Sequence, residues 1–195
     1  GALDTASSSN LGGTVRFASR GPQAERGFTL AQTVGSDDTL RTFARYDTGD
    51  IDGFSAFLSG AKHDAEKWKG WGPQDSRQVN AQARYASDAW SLGAMINTSR
   101  RAETDYADLS LESSRRLGLD WDNYARDWVR AIRAGFGQFS GGVTSLDDAY
   151  YLGRGLRDDN LYAVNTDIAL GDAGTFKAQM YRHTNDGQGH WVTPY

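Results

Sequence analysis

The chain has 195 residues, a formal net charge of -4 and no cysteine. This length suits a single folded domain, and the lack of cysteine excludes a disulfide framework, a thiolate metal site and a cysteine nucleophile. The mildly acidic charge balance, with no long basic run, argues against a nucleic-acid-binding protein. No apolar stretch is long enough for a transmembrane helix, and the first ten residues do not have the pattern of a signal peptide.

Abundant glycine (23 residues) and aromatic residues (12%) favour strands and turns over a helical bundle. Apolar and polar residues alternate with the period of a β-strand in seven segments. Residues 87–88 form a turn between two of these segments, which predicts a hairpin. The predicted strands are residues 28–34, 40–48, 54–59, 79–85, 90–97, 162–170 and 176–181.

The connections between these strands are alternately short and long, except for the short segment 35–39. Short connections at 47–53, 87–88 and 171–174 alternate with long ones at 62–77, 100–159 and 185–195. Outer-membrane barrels have short periplasmic turns and long extracellular loops, and their polar lumen is compatible with the low mean hydropathy of -0.62. A soluble antiparallel sheet with one solvated face shows the same alternation. The pattern alone therefore leaves both architectures open.

The longest connection contains an apolar stripe at helical spacing. With Asp120 available as an N-cap, this stripe predicts a short amphipathic helix. The helix either presents its aromatic residues to a ligand or packs them against the loop. The stripe consists of Leu119, Trp121, Tyr124, Trp128, Val129 and Ile132.

No catalytic or metal-binding constellation is found. The three histidines, His63, His183 and His190, are scattered along the chain. Segment 47–53 resembles the front of a calcium loop but lacks the bidentate glutamate that such a loop requires, so it is interpreted as a turn. Neither a nucleophile elbow nor a phosphate-binding loop occurs. We therefore predict no enzymatic activity, no cofactor and no bound metal.

Aromatic and basic residues are concentrated in the sequence Lys-Trp-Lys-Gly-Trp-Gly at 67–72. Such a loop can stack on a ring of a ligand while its ammonium groups bind an anion. Alternatively, its tryptophans fold back on the loop or join an aromatic girdle at the lipid headgroups. The candidate ligand-binding residues are Lys67, Trp68, Lys69, Trp71, Trp121 and Tyr124.

The opening segment 4–17, Asp-Thr-Ala-Ser-Ser-Ser-Asn-Leu-Gly-Gly-Thr-Val-Arg-Phe, resembles the end of the plug domain of TonB-dependent outer-membrane receptors. In that family a stretch of small residues leads to a Gly-Gly pair, here Gly12 and Gly13, and then to a short strand. Segments 65–72, 105–110 and 117–124 are also similar to the family. The resemblance extends over essentially the whole chain.

This resemblance implies that residues 1–20 form the C-terminal end of the plug domain and residues 27–195 the N-terminal part of the barrel. The fold class expected is all-β: about seven antiparallel transmembrane strands of a plugged barrel of about 22 strands, with a short helix in a long extracellular loop. The chain does not begin with methionine and lacks the TonB box, most of the plug and the closing strands. We therefore expect it to be a fragment.

The resemblance further implies a bacterial outer-membrane protein for the energy-coupled uptake of a scarce nutrient: siderophore-bound iron, cobalamin, haem or an oligosaccharide. Its expected partners are outer-membrane lipid, the rest of its own plug and barrel, a small-molecule ligand, and the inner-membrane TonB complex through the missing N-terminal region. No nucleic-acid partner is expected. The residues expected to face the lumen are Arg41, Arg45, Asn80, Arg84, Asn165 and Lys177.

Two other interpretations remain at this stage. A secreted soluble β-protein would bind carbohydrate through Trp68, Trp71 and Trp121. A passive porin is disfavoured, because the opening segment would then have no plug to belong to.

Overall fold

The computed structural model describes residues 19–148 and 150–193. Seven antiparallel strands form one sheet, and their order in the sheet follows the chain. The predicted all-β class and the seven strands are confirmed, and the sheet is open, with β1 and β7 at its edges. The elements are β1 (Arg26–Val34), β2 (Leu40–Thr48), β3 (Phe54–Asp64), β4 (Gln74–Ala86), β5 (Trp90–Thr104), α1 (Leu111–Leu117), α2 (Trp128–Gly135), β6 (Leu152–Ala169) and β7 (Thr175–Val192).

Short turns join the strands at one end of the sheet, which we call the turn end. They are formed by residues 49–53, 87–89 and 170–174, as the sequence predicts. The first turn depends on glycine: Gly53 has a φ of 83° and donates its N–H to Asp50 Oδ1 at 3.1 Å. A side chain at Gly53 would collide with the backbone carbonyl of Ala86, so this position accepts no larger residue without a shift of the backbone.

The opposite end of the sheet, the loop end, carries connections 35–39, 65–73 and 105–151. The predicted connections 62–77, 100–159 and 185–195 were too long, because the strands continue into all three. Cross-strand pairing explains the extension. Lys62 lies opposite Arg77, and Arg100 lies opposite Asp158, so these polar residues remain in the hydrogen-bonded ladder.

The two faces of the sheet differ in chemistry. Residues directly opposite each other on paired strands share a face, and the register therefore assigns every strand residue to one side. One side, the apolar face, exposes many large hydrophobic residues. Its members include Phe28, Leu30, Tyr46, Phe54, Leu58, Val79, Tyr85, Trp90, Leu92, Ile96, Tyr162, Val164, Ile168, Phe176 and Met180.

The other side, the polar face, contains all six residues predicted to face a lumen: Arg41, Arg45, Asn80, Arg84, Asn165 and Lys177. Arg45 and Asp47 form a two-pronged ion pair there, with both N···O distances at 2.7 Å. This pair holds the segment before β1. Arg45 Nη2 donates to Gly21 O at 2.8 Å, and Gln23 N donates to Asp47 Oδ1 at 2.9 Å. Residues 19–25 therefore enter the sheet from its polar face.

The predicted helix begins too early, and another helix in the same connection was not predicted. The second helix begins at Trp128, with Asp127 rather than Asp120 as its N-cap, and residues 119–126 are not helical. The preceding helix, α1, was not predicted. Ser110 caps it by accepting from Ser113 N, Glu112 lies in its first turn and basic residues lie in its last, which suits the helix dipole.

The helices belong to a small core inside connection 105–151, separate from the sheet. Tyr124, Ala131, Ala134 and Val143 are its buried members. Partly buried side chains surround them: Leu117, Trp121, Phe139, Leu146 and Tyr151.

None of the helices in the described ranges is long and apolar enough to cross a bilayer. The predicted plug motif, Gly12 and Gly13, and most of the predicted plug segment 1–20 lie outside the described residues.

Candidate ligand-binding site

Connections 65–73 and 105–151 are joined at the loop end by a buried ion pair. The side chain of Lys67 is 0% exposed, and its ammonium group contacts the carboxylate of Asp122, which is 2% exposed. Lys67 Nζ also donates to Asp105 O at 2.7 Å, while Asp122 Oδ1 accepts from Ala107 N at 2.7 Å. Burial lowers the pKa of the Lys67 ammonium, and the hydrogen bond to Asp122 opposes this effect. The lysine thus holds two loops together and does not face solvent.

Two glycines allow the loops to approach this closely. Gly70 has a φ of 72°, and a side chain there would overlap the carboxylate of Asp122. Gly72 has a φ of 139° and lies against the side chain of Thr104. The Lys-Trp-Lys-Gly-Trp-Gly sequence therefore combines a buried cation with two positions at which the backbone itself is the contact surface.

A pocket of about 580 Å³ opens between the two connections. We call it the arginine pocket; it is lined by Trp71, Asn123, Tyr124, Ala125, Arg126, Asp127 and Arg130. The guanidinium carbon of Arg126 lies 4.6 Å from the centre of the Trp71 ring, and that of Arg130 lies 4.7 Å from the centre of the Tyr124 ring. Each arginine is thereby held over an aromatic face by a cation–π interaction.

Polar atoms of this lining lack hydrogen-bond partners. Within residues 19–148 and 150–193, Trp71 Nε1, Tyr124 OH and Arg130 Nε are buried and unpaired. Tyr124 is 4% exposed, and burial raises the pKa of its phenol, so the hydroxyl stays protonated at neutral pH. Buried polar groups are nearly always satisfied, so Trp71 Nε1 and Arg130 Nε need a partner such as water, whereas the Tyr124 hydroxyl lies close enough to the Arg130 side chain to be influenced by it.

The wall behind the pocket is fixed by an ion-pair network. Trp121 lies edge-on to Tyr124 with ring centres 5.8 Å apart, and its Nε1 donates to Asp148 O at 2.9 Å. The Asp148 carboxylate accepts from Arg116 Nη2 at 2.7 Å and from Thr144 N at 2.8 Å. The hydrogen bond from Arg116 contributes most to holding the pKa of Asp148 well below its usual range, and the backbone N–H groups of Thr144 and Ser145 act in the same direction.

A second aromatic cluster lies apart from the arginine pocket. Trp68 is 59% exposed, and its ring centre is 6.2 Å from that of Tyr106. The backbone N–H of Trp68 donates to Tyr106 OH. Lys69 Nζ lies 5.4 Å from the Trp68 ring. Trp68 and Tyr106 line a cleft with Asp37 and other residues of the loop end.

The six candidate ligand-binding residues are therefore divided among three places. Trp71 and Tyr124 line the arginine pocket, and Trp121 lies directly behind it. Trp68 and Lys69 form the separate cluster, and Lys67 is buried. Sequence reasoning missed Arg126 and Arg130, because their role depends on contacts with the Trp71 and Tyr124 rings that no local pattern shows.

Comparison with known protein families, curated proteins and solved structures finds no match to this chain. Among the described residues, no group of three or more His, Cys, Asp or Glu side chains is placed to hold a metal ion.

Proposed function

We propose that the chain is part of a TonB-dependent outer-membrane receptor that takes up a scarce nutrient by energy-coupled transport. The observation that carries this proposal is the contrast between the two faces of the sheet. The apolar face exposes aromatic and aliphatic residues on all seven strands. In water such a surface would promote aggregation, whereas lipid would solvate it. The polar face suits a plugged lumen.

The extent of the apolar face supports a membrane span. On β6 it runs from Ile168 near the turn end to Asp158, the first charged residue of that strand on this face. One charged residue of the neighbouring strand, Arg182, lies within this band opposite Tyr162. Ten residues of strand measure about 33 Å, and a tilt of about 40° reduces this to about 25 Å, the height of the apolar band in outer-membrane barrels. Aromatic residues Trp90 and Tyr85, with ring centres 5.2 Å apart, lie near its turn-end boundary, where barrels have an aromatic girdle.

Charged residues begin on the same face towards the loop end. Lys62, Arg77, Arg100 and Asp158 lie opposite one another across four strands. Burying such a row of charges in hydrocarbon costs free energy, whereas the polar headgroup region solvates them. We accordingly assign the loop end to the cell exterior and the turn end to the periplasm.

The open edges and the entry of the chain support the same proposal. β1 and β7 each leave one row of backbone hydrogen-bonding groups without a neighbouring strand, and lipid does not tolerate such edges, so further strands must complete the sheet. Residues 19–25 cross the polar face, held by Arg45 and Asp47. A plug that precedes the barrel would connect to it along this path.

Cysteine labelling in intact cells tests the proposal, since the chain itself contains no cysteine. The full-length protein would carry either Leu119→Cys in the loop end or Asp88→Cys in the turn end, both at exposed positions. We expect a membrane-impermeant maleimide to label the first in intact cells and the second only after the outer membrane is permeabilised. The unmodified protein is the control.

Labelling of both positions in intact cells, or neither, would contradict the proposed orientation. Recovery of the protein as a detergent-free soluble species would overturn the membrane assignment. In that case a secreted carbohydrate-binding protein becomes the better interpretation, and the exposed Trp68 is the residue to test.

A further inference from the structure

We propose that the arginine pocket binds the carboxylate groups of an anionic ligand. This inference rests on the proposed function in one respect, that the bound ligand is the nutrient the receptor takes up. It narrows the ligand to a class, because neutral sugars lack the charge that the pocket complements.

The placement of Arg126 prepares it for a carboxylate. Its guanidinium lies over Trp71 at 4.6 Å, and none of the carboxylates in the described ranges forms a salt bridge with it. A cation–π contact leaves the N–H edge of a guanidinium available to another partner. That edge matches the two oxygens of a carboxylate.

Arg130 supplies a second positive charge to the pocket lining. Its guanidinium lies 4.7 Å from the Tyr124 ring centre and 5.3 Å from that of Trp121. One of its nitrogens, Nη2, donates to Ser140 O at 3.3 Å, whereas Nε has no partner. The arginine is thus held in place by two rings and one hydrogen bond, with donor capacity remaining.

The unpaired atoms of the lining are all able to donate. Trp71 Nε1 and Arg130 Nε are donors only, and the protonated Tyr124 hydroxyl donates as well. A carboxylate is acceptor-only when ionised, so it suits a lining whose positively charged groups, the guanidinium groups of Arg126 and Arg130, are donors only.

Asp127 does not cancel the two positive charges. Its carboxylate caps α2, accepting from Arg130 N at 2.9 Å. The remaining net charge of the pocket lining is positive. Arginines also cover one face of each of the Trp71 and Tyr124 rings, and Tyr124 is 4% exposed, so less ring surface is left for stacking on a sugar.

The test is a titration of the purified full-length receptor in detergent with citrate, with maltose as the neutral comparison. We expect saturable citrate binding, no maltose binding at this site, and at least a tenfold weaker citrate affinity in each of Arg126→Gln and Arg130→Gln. The matched control is Arg115→Gln, because Arg115 is exposed on α1 in the same connection and lines none of the pockets described above. Its citrate affinity should be unchanged.

A milder variant, Tyr124→Phe, removes one donor and keeps the ring, and it should weaken citrate binding by a smaller factor than the arginine substitutions. Wild-type protein that binds no citrate, or citrate binding that survives both arginine substitutions, overturns the proposal. These results leave the membrane assignment standing. Conversely, a soluble wild-type protein that binds citrate through Arg126 and Arg130 keeps the site and overturns the proposed function.

Discussion

Lys67 and Asp122 are 55 positions apart in sequence, yet their charged groups are in contact and both side chains are almost fully buried. Each partner also binds backbone: Lys67 donates to Asp105 O, and Asp122 accepts from Ala107 N. The pair therefore determines how connection 65–73 lies against connection 105–151. The arginine pocket depends on this arrangement, because Trp71 comes from the first connection and both arginines come from the second.

Lys67→Met is expected to loosen the two connections. Removing one partner of a buried ion pair leaves the other charge uncompensated, at a cost of about 3–5 kcal/mol. Hydrogen exchange should therefore accelerate strongly at the Ala107 amide, which donates to Asp122. Lys69→Met is the control, since Lys69 has no salt bridge within residues 19–148 and 150–193.

Adding Asp122→Met to Lys67→Met should recover part of the lost protection, because the uncompensated charge is then gone. Equal exchange rates in the Lys67→Met variant and the wild type would show that the buried pair does not hold the loops.

Gly70→Ala is expected to open the same contact by a different route. The new methyl group would overlap the Asp122 carboxylate, and the backbone at Gly70 has a φ of 72°. Gly137→Ala is a matched control, because Gly137 has a φ of 75° and nothing within 4 Å of an added methyl group. Gly137→Ala carries only the cost of a positive φ at a residue with a side chain, about 1–2 kcal/mol. Gly70→Ala carries the same cost and also that of the steric overlap, which adds about 1–3 kcal/mol.

Limited proteolysis of connection 105–151 measures the difference between the two glycine variants. We expect faster cleavage in Gly70→Ala than in Gly137→Ala. Equal cleavage would mean that the loops accommodate the methyl group without separating.

Acidification should weaken the wall behind the arginine pocket through Asp148. The Arg116 hydrogen bond and the Thr144 and Ser145 amides lower the pKa of Asp148 in the folded state. An acid with a lowered folded-state pKa stabilises the fold above its unfolded pKa, about 3.9 for Asp, and this stabilisation is lost as the pH falls further. Glu112, whose pKa Arg116 also lowers, acts in the same direction.

We therefore expect the exchange protection of connection 105–151 to be constant from pH 7 to about pH 5 and to fall below about pH 4. Asp148→Asn should be less protected at neutral pH and should lose less on acidification. The neighbouring exposed Asp147 provides the control, because Asp147→Asn should retain the wild-type pH profile. If Asp148→Asn showed the same pH dependence of exchange protection as the wild type, Asp148 would not be the group responsible for it.

The sheet could be predicted from the sequence because strand alternation is a local signal. Strand β2 has the predicted bounds, and β1 begins only two residues earlier than predicted. The ends of the later strands were missed where alternation gives way to charges. Lys62 and Arg77, for example, look like loop residues singly, and only their pairing across β3 and β4 keeps them in the sheet.

The candidate site was only partly predictable, because it depends on contacts between distant segments. Trp71 and Tyr124 were selected as aromatic residues in loops, and the structure brings both to one pocket. Lys67 looks exposed in sequence because a lysine seldom loses contact with solvent; only Asp122 explains its burial. Arg126 and Arg130 gain their role from the rings beneath them, which no local pattern reveals.

A charge placed on the apolar face tests the membrane assignment at the level of single residues. Ile96 and Asn97 are neighbours on β5 that point to opposite faces, and Ile96 is 46% exposed on the apolar face. Near the middle of a bilayer, an arginine on the lipid face of a barrel costs about 2–4 kcal/mol, whereas lumen substitutions are tolerated. Ile96→Arg should therefore reduce the yield of heat-resistant folded receptor in outer membranes, and Asn97→Arg should leave it close to wild type. If the apolar face were in water, Ile96→Arg would leave the yield unchanged or improve it. The substitution would then replace a solvent-exposed hydrophobic side chain with a charged one. That result would contradict the membrane assignment.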